Sequence, residues 1–228
     1  MTRILERSIL LRRFYFDKSE VEQSLILSYV FSISLVLFRI IYTGETMFGF
    51  LIWNLFLGWL PYVISSQLVK KQVRSKGFFY LILLCWLFLL PNSFYIITDL
   101  FHLKERIVVP LWFDLVLIFS FAWNGLITGV LSIRQVEKLL ISRWKMQSEW
   151  MFVFPLMFLN SLGIYIGRYL RFNSWDVIMN PFQLYSDMMY LVLHPIRNRF
   201  DWSMMICFAV VLTLFYLTLK RISKHLTQ

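Results

Sequence analysis

Six long apolar stretches constrain this chain more than any other feature of its sequence. They cover residues 24–42, 47–68, 78–98, 109–131, 150–170 and 202–219. A bilayer core of ~30 Å is crossed by about 20 consecutive apolar residues in a helix, and each stretch is close to that length. The sequence therefore predicts an all-α, polytopic helical membrane protein with about six transmembrane helices, in one domain over residues 24–219.

The composition excludes the main alternatives to a membrane protein. Hydrophobic residues make up 59% of the chain and charged residues 16%, whereas a soluble domain carries about 25% charged residues. A water-soluble globule and a disordered chain are both excluded. The two cysteines, Cys85 and Cys207, lie in apolar stretches at different depths, and we expect two free, buried thiols.

The basic residues are placed asymmetrically and predict the topology. Sixteen of the 23 lysines and arginines lie in the N-terminal segment, the second and fourth connections and the C-terminal tail. Because positively charged flanks stay cytoplasmic, we predict a multi-pass protein of the cell (cytoplasmic) membrane with cytoplasmic N- and C-termini. The net charge of +10 is then explained by topology and by anionic lipids on the cytoplasmic side, without nucleic acid. Glu137, on the same side, is expected to be a solvated charge.

Three segments flank the spans or lie between them. Residues 1–23 alternate arginines with apolar residues, which is typical of a basic amphipathic helix on the membrane surface. The outer-face loop 171–201 contains an apolar run too short to span, and it predicts an interfacial helix. Residues 220–228 form a basic cytoplasmic tail.

Polar residues recur at helical spacing in the third stretch. Asn92, Tyr95, Asp99 and His102 fall on one face of a helix. Pro91, directly before this face, is expected to kink the span because it removes a backbone donor. Polar groups at this depth are costly and are functional by default.

Charged and polar residues from three spans converge near the outer face. An outward-facing site is therefore predicted, and its residues are Asp99, His102, Asp114, Arg168, Arg171, Asn173 and Asp176, with Asn92 and Tyr95 as further ligand-binding candidates and Arg39 nearby.

Two kinds of chemistry fit these residue types. Arginines at i and i+3, Arg168 and Arg171, can hold a phosphate or carboxylate through charge-assisted hydrogen bonds. Asp99 and His102 can act as a general acid/base pair, with Asp114 as a third catalytic candidate. Alternatively, those three side chains supply ligands to a divalent metal. Metal and cofactor remain open, and a purely structural pairing of the arginines with the aspartates is about equally compatible with the sequence.

Small residues form two pairs at four-residue spacing. Gly125 and Gly129 lie in the fourth stretch, and Gly163 and Gly167 lie in the fifth. Such pairs let another backbone approach closely. The two pairs are expected in opposite leaflets, and so not against each other.

Two phrases carry a family resemblance, residues 90–103 (LPNSFYIITDLFHL) and 163–176 (GIYIGRYLRFNSWD). Together with PLWFD at 110–114 and WNG at 123–125, they resemble the bacterial membrane proteins grouped as domain of unknown function 1361. The resemblance covers most of the chain from the second span to Asp176. It implies a bacterial cytoplasmic-membrane protein and no particular activity.

Three functions follow from the sequence. The first is a membrane enzyme acting on an anionic or lipid-linked substrate at the outer face. The second is a small transporter or permease component, for which homo-oligomerisation stays open. The third is a non-catalytic membrane scaffold in which the outer charges only pair.

Overall fold

The described part of the chain is built from helices joined by short connections. The computed structural model describes residues 19–70, 75–144, 149–172 and 176–225. In these ranges the helices are α1 (Glu20–Thr43), α2 (Phe50–Lys70), α3 (Lys76–Leu89), α4 (Pro91–Tyr95), a 3-10 helix (Ile96–His102), α5 (Leu111–Trp144), α6 (Glu149–Arg168), α7 (Asp176–Met179), α8 (Pro181–Leu193) and α9 (Arg199–His225). No strand occurs there, so the predicted all-α class is confirmed.

Five helical segments are long and apolar enough to cross a membrane: Glu20–Thr43, Phe50–Lys70, Lys76–His102, Leu111–Ile141 and Arg199–His225. The predicted fifth span corresponds to α6, whose apolar part, Phe152–Arg168, is shorter. The chain is therefore an integral membrane protein, and the total of six spans stays a prediction.

The described residues cover only part of the segments predicted outside the spans. Of the predicted surface segment 1–23, residues 1–18 lie outside the described residues. The loop predicted for the outer face does contain a helix, α8, and its interfacial position stays a prediction. At the C-terminus, α9 continues through Lys220 to His225, so the start of the predicted tail is helical.

Local sequence signals set several helix ends. Ser19 and Glu22 form a reciprocal capping box at the start of α1, which satisfies two backbone donors that helix geometry leaves free. Gly44 ends that helix in the left-handed region, at φ 71°, where a side chain would be strained. The predicted disruption at Pro91 is observed, because α3 ends at Leu89 and α4 begins at the proline.

The short helix α4 is packed into the middle of the bundle and touches α2, α5 and α6. Both predicted glycine pairs face this segment, where a Cβ on any of the four glycines would collide with or crowd a neighbour in Pro91–Tyr95. The contacts are Gly125 with Ser93, Gly129 with Phe94, Gly163 with Pro91 and Gly167 with Tyr95. The glycines thus allow a broken helix to lie between α5 and α6.

Polar side chains inside the bundle are bonded between helices. The indole N–H of Trp86 donates to Ser132 at 2.8 Å, and the Ser132 hydroxyl donates to Ser65 at 3.0 Å. Asn124 on α5 donates to Ser32 on α1 at 2.9 Å. Because lipid offers no hydrogen bonds, these contacts fix how α1, α2, α3 and α5 face one another.

The bundle has two distinct ends. We call the end formed by residues 39–49, 96–114, 168–172 and 176–198 the site end, and the end that holds Lys70 and Trp144 the basic end. Contacts between Arg39 and Asp114 and between Asp99 and Arg168 bring the segments of the site end together.

The prediction that Glu137 is a solvated charge is wrong. Its carboxylate is buried and accepts hydrogen bonds from Lys220 at 2.6 Å and from the Tyr216 hydroxyl at 2.7 Å. The helix α5 continues well past the predicted end of the fourth span, and α9 extends alongside it, so Glu137 is enclosed between two helices.

The two cysteines are free, as predicted, but both are exposed on the bundle surface rather than buried. Each lies on the outward face of its helix, among apolar side chains that face away from the bundle.

Candidate functional site

The candidate site is centred on Arg168, the last residue of α6, and on the 3-10 helix that follows α4. Two segments far apart in sequence meet here, because the broken third span turns the 3-10 helix toward the end of α6. Asp99 and His102 are three residues apart, and side chains at that spacing lie on one side of a 3-10 helix. Both contact the same guanidinium.

Three described residues accept hydrogen bonds from Arg168. Its Nη2 lies 2.5 Å from Asp99 Oδ1, its Nε donates to the Thr98 hydroxyl at 2.9 Å, and its Nη1 lies 3.1 Å from His102 Nε2. The guanidinium also stacks over the ring of Tyr95, 4.7 Å from its centre. These contacts orient one face of the guanidinium and use three of the five N–H donors that an arginine carries.

Asp99 is enclosed by its partners. Its second carboxylate oxygen accepts from the Asn54 side chain on α2 at 2.9 Å, and its side chain is 1% exposed. The carboxylate therefore neutralises and holds Arg168, whose side chain is 15% exposed.

His102 is the accessible member of the group. Since the arginine can only donate, the contact with Arg168 makes His102 Nε2 an acceptor and leaves the ring proton on Nδ1. The ring lies against Phe50, with 5.1 Å between the ring centres. The charges of Arg168, Asp99, Lys104 and Arg106 all act on this ring. Arg168 is itself paired with Asp99, and Arg106 with Asp114.

A cavity of about 430 Å³ adjoins this cluster. It has the size of a small-molecule site. Its wall is largely apolar, and the polar groups in it include Asn54, Asn92 and Tyr95. Two of these three residues also touch the charged cluster, since Asn54 bonds Asp99 and Tyr95 stacks under Arg168.

The sequence profile of a protein family of unknown function, DUF1361, matches residues 53–216. That range covers more than two thirds of the chain. The chain belongs to the DUF1361 family. No curated protein and no solved structure matches it.

The DUF1361 match contains the whole charged cluster, from Asn54 to Arg168, and the cavity beside it. Arg39 lies outside the matched range, although its partner Asp114 lies inside. Because the function of this family is unknown, membership does not assign an activity to the site. Its chemistry follows from its geometry.

Asp114 belongs to a second ionic group at the site end. Arg39 donates to both of its oxygens, to Oδ1 at 2.8 Å and to Oδ2 at 3.3 Å, and Arg106 Nε lies 3.2 Å from Oδ2. Both guanidiniums also lie over the ring of Phe48. Arg39 and Asp114 are each 1% exposed, so this group ties α1 to α5 and to the loop before α5.

The metal alternative finds no support in the described residues. No group of three or more His, Cys, Asp or Glu side chains lies there in an arrangement that could hold a metal ion. Asp99, His102 and Asp114 therefore do not form the three-ligand site considered from the sequence.

The remaining candidates are placed separately. Arg171 lies beyond the end of α6, is exposed and has a left-handed φ of 60°, so it does not continue the helical face of Arg168. Asp176 begins α7, where its carboxylate accepts a hydrogen bond from Asn180 at 3.4 Å. Asn92 donates to the Leu89 carbonyl at 3.0 Å and lines the cavity. Asn173 lies outside the described residues.

Sequence reasoning missed Asn54 and Thr98. Both are neutral, and the predicted site was built mainly from ionisable residues. An amide seven residues into an apolar stretch is itself costly in lipid, and that signal points to Asn54.

Proposed function

We propose that this protein binds an amphiphilic ligand with an anionic group at its site end, and that Arg168 and His102 contact that group. The observation that carries the proposal is the junction between the charged cluster and the cavity: Tyr95 both lines the cavity and stacks under Arg168. Two Arg168 N–H groups remain beyond those used by Asp99, Thr98 and His102 within the described ranges.

The donors of Arg168 favour an anion. Its two further N–H groups lie beside the exposed His102 ring, where Lys104 adds a positive charge, whereas Arg106 is paired with Asp114. A planar guanidinium suits phosphate and carboxylate oxygens.

The residues divide into two roles under this proposal. Asp99, being buried and bonded to Arg168 and Asn54, is a positioning residue that holds the guanidinium in place. His102, being exposed, is the group suited to proton transfer, so a membrane enzyme acting on a lipid-linked substrate remains the leading activity.

A scaffold is the second candidate, and one observation favours it. Every charged side chain of the two ionic groups has a partner of opposite charge or a hydrogen bond within the group. Under this alternative the pairs only hold segments together, and no added anion stabilises the protein.

The proposed cellular setting follows from the basic residues. Lys70, Lys76 and Lys220 all lie toward the basic end, and the positive-inside rule then puts that end and both termini in the cytoplasm of a bacterial cell, against anionic lipids. The site end would face outward. Labelling of single cysteines placed at Glu45 and at Lys138 with an impermeant reagent on intact cells tests this: Glu45 should react and Lys138 should not.

Thermal unfolding in neutral detergent tests the ligand proposal. Octyl phosphate should raise the unfolding temperature and octyl glucoside should not, because ligand at about a hundred times its Kd stabilises by about 2.7 kcal/mol. Arg168→Lys and His102→Gln should each reduce the shift, while Arg197→Gln, at an exposed arginine of the site end, should leave it unchanged. Equal shifts from both amphiphiles, or an undiminished shift in both site variants, would contradict the proposal.

A further inference from the structure

The cavity borders the lipid-facing surface of the bundle. Three of its lining side chains, Trp53, Phe88 and Leu159, are 52, 63 and 46% exposed. Trp53 and Phe88 belong to helical segments long and apolar enough to cross a membrane, and Leu159 lies on the shorter apolar helix Phe152–Arg168. Exposed side chains at that depth have lipid chains as neighbours. The cavity mouth therefore borders the membrane.

Two apolar side chains border the cavity at the site end. Phe172, in the turn after α6, and Leu184, on α8, both line it. The left-handed backbone of Arg171 reverses the chain, and the Phe172 N–H bonds back to the Ile166 carbonyl at 3.2 Å. A water-soluble ligand entering from the site end would pass these two apolar side chains, whereas a lipid chain would enter beside the exposed Trp53, Phe88 and Leu159.

The shape of the cavity suits a hydrocarbon chain. Its lining residues on α6 include Leu159, Leu162, Ile166 and Gly167, which lie on one face of the helix. From Leu159 to Gly167 the helix rises ~12 Å at 1.5 Å per residue. The elongated wall runs along the helix from exposed apolar residues toward Tyr95 and Arg168.

We infer that the ligand is a lipid resident in the bilayer, which enters the cavity sideways between the helices, with its chain along α6 and its anionic headgroup at Arg168. This rests on the proposed function, and it adds the source of the ligand and its route. The same anionic group could also be carried by a soluble phosphate, and the experiment separates the two sources.

The test uses the full chain in phosphatidylcholine nanodiscs that contain phosphatidylglycerol with a photoreactive acyl chain. Cross-links should concentrate in peptides that contain Leu159–Gly167 and Leu87–Tyr95. Leu159→Trp should reduce this labelling about tenfold, equivalent to ~1.4 kcal/mol, because the indole fills the mouth. Leu214→Trp is the matched control, since Leu214 on α9 is similarly exposed, at 55%, and does not line the cavity. It should label like the wild type, and excess glycerol phosphate should not compete.

Other outcomes would contradict either the lipid inference or the proposed function. Labelling that Leu159→Trp leaves unchanged would overturn the inference, because the lipid would only surround the protein. Displacement of bound octyl phosphate by glycerol phosphate, without cavity labelling, would also overturn it and would leave the proposed function standing. If neither the lipid nor octyl phosphate binds, both fail.

Discussion

The guanidinium Nη2 of Arg168 lies 2.5 Å from the Oδ1 of Asp99, which joins the end of α6 to the 3-10 helix that completes the broken third span. This pair both links two segments of the fold and forms the centre of the candidate site. It holds two segments together, and it keeps the Arg168 guanidinium over the ring of Tyr95, which lines the cavity.

Breaking this pair from one side should destabilise the protein more than removing both charges. Asp99→Asn and Arg168→Gln should each be destabilising, and the double variant should recover part of the loss, with a coupling energy of about 0.5–3 kcal/mol. The coupling energy is obtained from the unfolding temperatures of the wild type, the two single variants and the double variant, all measured without ligand. Asp187→Asn, at a half-buried aspartate on α8, is the control. Additive losses would show that the two side chains do not act as a pair.

Gly125 should not tolerate a methyl group. A Cβ there would overlap the Ser93 carbonyl oxygen, which is backbone and cannot turn aside. Gly125→Ala should cost roughly 1–3 kcal/mol, the usual cost of overpacking. Gly77→Ala is the control, because nothing lies within 4 Å of its added Cβ, and it should be neutral or stabilising by up to about 1 kcal/mol. Equal stability of the two variants would contradict the tight packing of α4.

Glu137→Gln should strongly destabilise the basic end. It leaves the buried ammonium of Lys220 without its carboxylate, and removing one partner of a buried pair costs about 3–5 kcal/mol. Glu137→Gln with Lys220→Met should recover much of this loss, while Lys138→Met, at an exposed neighbour, should change little. Detergent-solubilised yield and unfolding temperature give the comparison. A fully stable Glu137→Gln single variant would argue that Glu137 is solvated after all.

The two arginines around Asp114 should differ in importance. Arg39 is 1% exposed and makes two hydrogen bonds to Asp114, whereas Arg106 is 26% exposed. Arg39→Gln should therefore lower the unfolding temperature much more than Arg106→Gln, since a partly exposed ion pair contributes about 1 kcal/mol or less. The reverse order would mean that the loop before α5, and not α1, depends on Asp114.

Much of the fold could be predicted from apolar length and from depth in the membrane. The grouping of Asp99, His102 and Arg168 at one end followed from counting residues along alternating spans. Depth alone does not say which charges pair. Asp114 lies at a similar depth but pairs with Arg39 and Arg106. The packing of α1 against α5 places Arg39 beside it.

Other features depended on interactions that a linear pattern does not contain. Glu137 looked solvated because it follows an apolar stretch on the basic side, yet α9 extends far enough to bury it. Asn54 was overlooked because its partner, Asp99, is 45 residues away. The glycine pairs predicted close packing correctly, but the expectation that they lie in opposite leaflets was wrong, because both pairs contact α4. This shared partner exists only because Pro91 breaks the third span.

Titration of the purified protein with octyl phosphate tests the central claim most directly. Native mass spectrometry should count one bound molecule per chain. Arg168→Lys keeps the charge but loses the planar donor pair, and it should weaken binding about tenfold, the equivalent of ~1.4 kcal/mol, while Arg197→Lys binds like the wild type. Equal affinity of the wild type and a folded Arg168→Lys variant would contradict the claim that Arg168 receives the anionic group.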